Sequence, residues 1–200
     1  MKFVKFLPVL LLIVLTGCAS NPMLVRKGQK IEIAELGKAQ VVFMRSSFVG
    51  GAINASLYDV TNGDIKFIGI IANDTKIAYS VSPGKHRFMV VSEAADFMEA
   101  ELAAGKTYYS IVTPRMGFWK ARFSMWPIRN DNESQYNLNS KDFKGWLTGT
   151  DLVENSEKSL QWYEKNKVSV ANKFAEYLTV WKQKSANDLA ERTLNPADGI

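Results

Sequence analysis

The apolar and polar positions of the chain follow three regimes. Residues 6–15 form an apolar run interrupted only by Pro8. Between Ile31 and Trp126, short apolar stretches alternate with period two or run continuously for four to six residues, which is the pattern of strands. The stretches are Ile31–Ala34, Gln40–Arg45, Ala55–Val60, Ile65–Ile71, Lys76–Val81, His86–Val91, Phe97–Ala103, Thr107–Thr113 and Phe118–Trp126. From residue 154 to about 193 the period lengthens. Leu160, Tyr163, Val170, Ala171, Phe174, Tyr177, Leu178 and Trp181 fall on one stripe of a helix.

Several strands carry one apolar face. Ile77, Tyr79 and Val81 alternate with Ala78 and Ser80, and Met98, Ala100 and Leu102 alternate with Glu99 and Glu101. Trp119, Ala121, Phe123 and Met125 alternate with Lys120, Arg122 and Ser124. Val41-Val42-Phe43-Met44 is apolar throughout, as suits a central strand. Asn62-Gly63 is a strong hairpin signal. Ser82-Pro83-Gly84-Lys85 and Ala104-Gly105-Lys106 mark further turns. Closely spaced strands with such turns favour a sandwich or barrel over βαβ units. The expected fold is mainly β with a long C-terminal α-helix: an antiparallel β-sandwich, Ig-like or prealbumin-like.

The helix is expected to start near Glu154–Ser156 and to end near Arg192, before Pro196, with Asp188 and Arg192 as an i,i+4 pair. At 35–40 residues it would be about 55 Å long, against roughly 35–40 Å for a domain of this size. Its end would then overhang and meet a partner. The favoured reading for residues 156–181 is the plainer one, that the first half packs on the sandwich and the end frays, with the part beyond left open between the two. Residues 128–153 read as an irregular connection, 194–200 as a tail, and 31–127 as the sandwich.

The first apolar run is too short for a membrane span, which needs about 20 residues. With Lys2 and Lys5 before it, it has the form of a signal peptide over residues 1–17. It closes on Leu15-Thr16-Gly17-Cys18, which resembles the lipobox of bacterial lipoproteins. That resemblance implies cleavage after Gly17 and lipidation of Cys18, rather than an ordinary secretory signal or an N-terminal membrane helix. Two or three acyl chains on one cysteine anchor a protein stably. Cys18 is the sole cysteine, so it has no disulfide partner. Residues 18–30 would be a lipidated tether. Ala19, where inner-membrane retention would call for Asp, points to the outer membrane, facing the periplasm.

Val41–Pro114 resembles a family of bacterial lipoproteins that carry a β-sandwich domain of undefined activity, distantly similar to envelope domains with a Pro-Glu-Gly-Ala signature. The matching pieces are Val42-Phe43-Met44-Arg45, Phe48-Val49-Gly50-Gly51-Ala52, Val81-Ser82-Pro83-Gly84-Lys85-His86 and Ala103-Ala104-Gly105-Lys106-Thr107-Tyr108-Tyr109. The chain departs from the signature domain in having Pro83-Gly84-Lys85-His86 in place of an acidic core motif. The resemblance implies a cell-envelope binding or structural role and brings no catalytic residues.

Charge and chemistry narrow the picture. Without Lys2 and Lys5, 23 basic residues face 20 acidic ones, a net charge of +3 with no basic stripe. Nucleic-acid binding is therefore not expected. No metal or other cofactor is expected: His86 is the only histidine, and a metal site wants clustered ligands. There is no Gly-x-Ser-x-Gly elbow, and Gly50-Gly51 suits a tight bend rather than a phosphate loop. Glu99 and Glu101 sit about 7 Å apart on one strand face, a glycosidase-like spacing but also the ordinary solvated side of a strand. Asp131 and Glu133 share a polar loop that matches no calcium motif. Phe118, Trp119, Phe123 and Trp126 cluster after Tyr108 and Tyr109. Core packing is the better reading for most of them. Trp126, and Trp162 off the helix stripe, are the candidates for contact with a glycan or an envelope protein. The sequence thus points to a membrane-anchored binding or scaffold module that is not an enzyme. Its alternatives are a peptidoglycan- or polysaccharide-binding lipoprotein and, last, an envelope hydrolase.

Overall fold

The computed structural model describes residues 21–47, 49–115 and 122–200. The lipobox, Cys18, Phe48 and Trp119 lie outside these residues. Two β-sheets face each other. The first has the strand order β1 (Leu24–Val25), β10 (Asp151–Glu154), β5 (Thr75–Val81), β2 (Ala39–Arg45), β8 (Thr107–Arg115), β9 (Arg122–Pro127). The second runs β11 (Thr193–Leu194), β7 (Ala95–Leu102), β6 (Gly84–Val91), β3 (Ala55–Asp59), β4 (Lys66–Ile71). The protein is mainly β and sandwich-like.

Alternation along the strands builds the core between the sheets. Val41 and Phe43, Ile77 and Val81, Met98 and Leu102, and Phe123 and Met125 all point into it. Phe43 meets Phe88 edge-on with ring centroids 5.2 Å apart. Strand β2 is buried along its whole length, because its other face is covered too. Val42 and Met44 pack with Tyr109, Ile128 and Phe143 under helix α1 (Lys141–Gly149). Residues 128–153 are therefore not merely irregular: Ser140 caps α1 through Phe143 N, and β10 extends the first sheet. Lys76, buried in β5, reaches the carbonyls of Leu147 and Thr150 at the end of α1. A cation there offsets the negative helix terminus.

Pairing is less uniformly antiparallel than expected. β2–β8, β5–β10 and β7–β11 are parallel. Asn62-Gly63 does join antiparallel partners, β3 and β4, with Gly63 at φ 85°. The other two turns do not close hairpins. Pro83-Gly84 carries the chain from β5 in one sheet to β6 in the other, and Gly105 returns it from β7 to β8. The segment Ile31–Ala34 forms no strand. Ile31 instead packs onto the outer cluster of the first sheet.

The long helix is shorter than its periodicity suggested. Helix α2 spans Glu157–Trp181, about 37 Å at 1.5 Å per residue, so it does not overhang. It lies across the outer face of the second sheet. Tyr163, Val170, Phe174, Tyr177, Leu178 and Trp181 meet Tyr58, Met89, Phe97 and Phe67 there, while Leu160 and Ala171 face outward. After Trp181 the chain turns, and Ser185 starts a separate helix, α3 (Ala186–Glu191). A Ser185/Asp188 capping box outcompetes helix continuation at that point. Arg192 then turns inward to Asp96, 2.9 Å away, and the Asp188 carboxylate serves the Ser185 cap. The C-terminal residues are fixed as well: Ile200 N and O pair with Thr107, and Asp198 binds Arg129.

Candidate functional site

A cleft opens between α2 and the second sheet. Its volume is about 660 Å³, within the roughly 300–1,000 Å³ of small-ligand sites. The floor is built by the start of β3 and the ends of β4 and β6, through Ala55, Ile70 and Val91, with Val170 from the helix. None of these four is more than 3% exposed. Ile53 and Trp162 form the walls and are 41% and 36% exposed.

Three local arrangements fix this geometry. Arg45, itself fully buried, donates to the carbonyls of Gly50, Ile53 and Ile71 and stacks on Phe123 at 4.2 Å. It thereby holds the loop that carries Ile53. Burial lowers its pKa to about 10, against the pull of Asp74, so it stays charged at neutral pH. Trp162 is propped by Phe67, 6.5 Å away. The third arrangement is the start of the described chain. Pro22 lines the cleft, and its carbonyl accepts a hydrogen bond from Ser156, the N-cap of α2. Met23 is buried in the core, and its sulfur accepts from Ile70 N at 3.3 Å. A Cβ on Gly69 would lie 2.8 Å from Met23 Cε, so only glycine leaves the methionine this seat. Residues 21–25 of the expected tether are therefore part of the domain.

The polar groups around the cleft are largely used within the protein. Ser56 donates to Val91 O and accepts from Tyr58. Lys173 Nζ binds Ser92 O at 2.6 Å, and Asn166 binds Trp162 O at 2.7 Å.

A second cluster lies at the opposite end of the strands. Asp59 accepts from Thr61 and, at 3.3 Å, from Tyr79. His86 Nδ1 is 3.1 Å from Thr61 Oγ1 and 3.7 Å from Asp59, while its Nε2 donates to Ser82 O. The neighbouring Asp59 carboxylate raises the His86 pKa above its usual 6.5, against burial and aided by Ser82. Burial pushes Asp59 upward, but the neighbouring His86 and bonds from Thr61 prevail and hold it below its usual value. Both imidazole nitrogens are engaged, so the ring ties the β5–β6 turn to β3.

The other sequence candidates separate. Trp126 is half-buried: its Nε1 donates to Thr113 at 3.0 Å, and the Arg192 guanidinium lies 3.8 Å over its ring. It packs under Tyr136, 6.1 Å away, far less free than Trp162. Glu99 is held by Arg87 at 2.7 Å and by Trp181 Nε1, while Glu101 is exposed. Asp131 binds the amides of Glu133 and Ser134 within its own loop. Among the described residues no three His, Cys, Asp or Glu side chains gather as for a metal. No described helix is long and apolar enough to cross a membrane.

Sequence reasoning picked out Trp162 but not the cleft it borders. The floor residues read simply as strand and helix core, and only the β-strand ends and the helix crossing bring them together. No family model matches the chain, and no curated protein matches it.

Proposed function

We propose that the chain is a membrane-anchored, non-catalytic binding module of the bacterial envelope. It is carried by lipid on Cys18 and uses the cleft beside α2 as its binding site. The observation that carries this reading is the position of the cleft: Pro22, four residues after Cys18, forms part of its wall. An anchor on Cys18 would hold the cleft close to the bilayer, in the outer membrane on the periplasmic side. The family resemblance of Val41–Pro114 belongs to the same reading.

The sandwich is of prealbumin-like rather than Ig-like type. With β2 to β9 lettered A to H, the central sheets run D-A-G-H and F-E-B-C. An Ig domain has A-B-E-D and C-F-G instead.

Metabolic labelling tests the anchor. The native chain should incorporate a fatty-acid label and stay with the membrane, and Cys18→Ser should lose both. A Cys18→Ser protein that still takes up label would overturn the reading. Crosslinking from a photoreactive residue placed at Asn166, in cells, should then recover a discrete envelope component, and recovery of none above background would remove the binding role.

A second reading, a peptidoglycan- or polysaccharide-binding lipoprotein, is favoured by one feature, the half-exposed Trp162 ring at the cleft wall. Under it, peptidoglycan fragments should change tryptophan fluorescence in the native protein and leave a Trp162→Leu variant unchanged.

A further inference from the structure

We propose that the cleft between α2 and the second sheet is an acyl-chain site, and that its occupant is one of the fatty acyl chains on Cys18. This rests on the anchor reading above and names the ligand of that same cleft.

The buried floor favours an apolar ligand, while Asn54, Glu93, Asn166, Ser169 and Lys173 are polar groups on the cleft lining. The floor of Ala55, Ile70, Val91 and Val170 is aliphatic and buried. The hydroxyl nearest it, on Ser56, already donates and accepts within the sheet. Lys173 and Asn166, at the rim, are turned to backbone carbonyls. A hydrocarbon chain needs none of them and gains by leaving water. Trp162 and Ile53 offer it apolar walls that are now partly wet.

The reach of the chain selects the source. Pro22 is the fourth residue after Cys18, so the Cys18 backbone lies at most about 14 Å of extended chain from the cleft wall. An intramolecular ligand on so short a link has a high effective concentration. A free lipid must compete with it from the bilayer. Pro22 and Met23 are pinned by Ser156 and the core, so the link starts from a fixed point.

The test uses the native lipoprotein, made in cells supplied with a diazirine-bearing fatty acid. After irradiation, peptide mapping should join the Cys18 peptide to residues 162–173 or 53–56 of the same chain. Ser169→Phe, an exposed position lining the cleft, should fill the space. It should cut that crosslink at least fivefold while Cys18 labelling stays equal. Labelled Cys18 without crosslinks to these segments would overturn the proposal and leave the anchor intact. An unlabelled chain would overturn both. Reaction of the same segments in the native lipoprotein with a diazirine phospholipid in vesicles, with no crosslink to the Cys18 peptide, would assign the cleft to membrane lipid instead, and so overturn the own-chain assignment.

Discussion

Arg192 Nη1 lies 2.9 Å from Asp96 Oδ2, with the aspartate side chain fully buried and the arginine 7% exposed. Arg192 also donates to Met125 O and Ser124 Oγ, and Tyr177 of α2 donates to Asp96. The Asp96–Arg192 pair thus joins β7, β9, α2 and the C-terminal segment. Such a pair adds little net stability when whole, but removing one partner strands the other charge. Asp96→Ala is expected to cost about 3–5 kcal/mol, seen as a lower urea midpoint. An Asp96→Ala/Arg192→Met double variant should lose clearly less than the two single losses together. Additive losses would show that the two residues act separately.

Trp181 ends α2 against Phe97, with ring centroids 5.6 Å apart, and is 3% exposed. Trp181→Ala should destabilise the fold by about 3–5 kcal/mol. Val168, on the outer side of the same helix and 71% exposed, should tolerate Asp within about 0.5 kcal/mol. Thermal denaturation of the two variants checks this. Equal losses would mean that α2 does not read its faces as described.

The His86–Asp59 pair gives the fold a pH signature. His86 has a raised pKa when folded, so its contribution is fully present below 6.5 and fades as pH rises through the folded value. Asp59 has a lowered pKa, so its contribution is present above about 4 and is lost as pH falls through its folded value. The pair should therefore stabilise most between about pH 4 and 6.5. Urea midpoints of the wild type should fall from pH 6 to pH 8.5 by more than those of His86→Gln. Parallel profiles would remove the pair as the source.

Near the C-terminus, a Cβ on Gly199 would stand 2.6 Å from Tyr108 Cζ. The Tyr108 ring is fully buried and cannot step aside. Gly199→Ala is expected to cost about 1–3 kcal/mol by overpacking. Gly69→Ala meets only terminal atoms of Met23 and Ile77, so its main effect should be on the N-terminal segment. Faster proteolysis around residues 21–25, with the midpoint little changed, would be the measurement to expect.

The strands were legible because each has one side in water or one in the core, and period two records that directly. Val42 and Met44 read correctly as buried, although nothing local announced that α1 would cover them. The pairing was less legible. Pro83-Gly84 and Gly105 carry the local chemistry of hairpin turns, yet join different sheets, because turn residues fix the bend and not the partner. β10 and β11 are too short to leave a period, and each exists only by pairing with a strand distant in sequence. The end of α2 had a signal, Ser185 with Asp188 three residues on, that the continuing apolar stripe obscured. The cleft was illegible for a different reason: Ala55, Ile70, Val91 and Val170 are ordinary core residues, and what makes them a site is the space where helix and sheet part.

The seat of Met23 has a mechanical meaning. A load applied to the chain from its N-terminus does not first peel the two-residue strand β1 from β10. It arrives at the Pro22–Ser156 hydrogen bond and at the methionine beneath β4. The first stands at the N-terminal end of α2 and in the wall of the cleft, the second in the core between the sheets. Tension on residue 21 would therefore be borne first by the cleft wall at Pro22 and by the core at Met23, before it reached the edge strand β1.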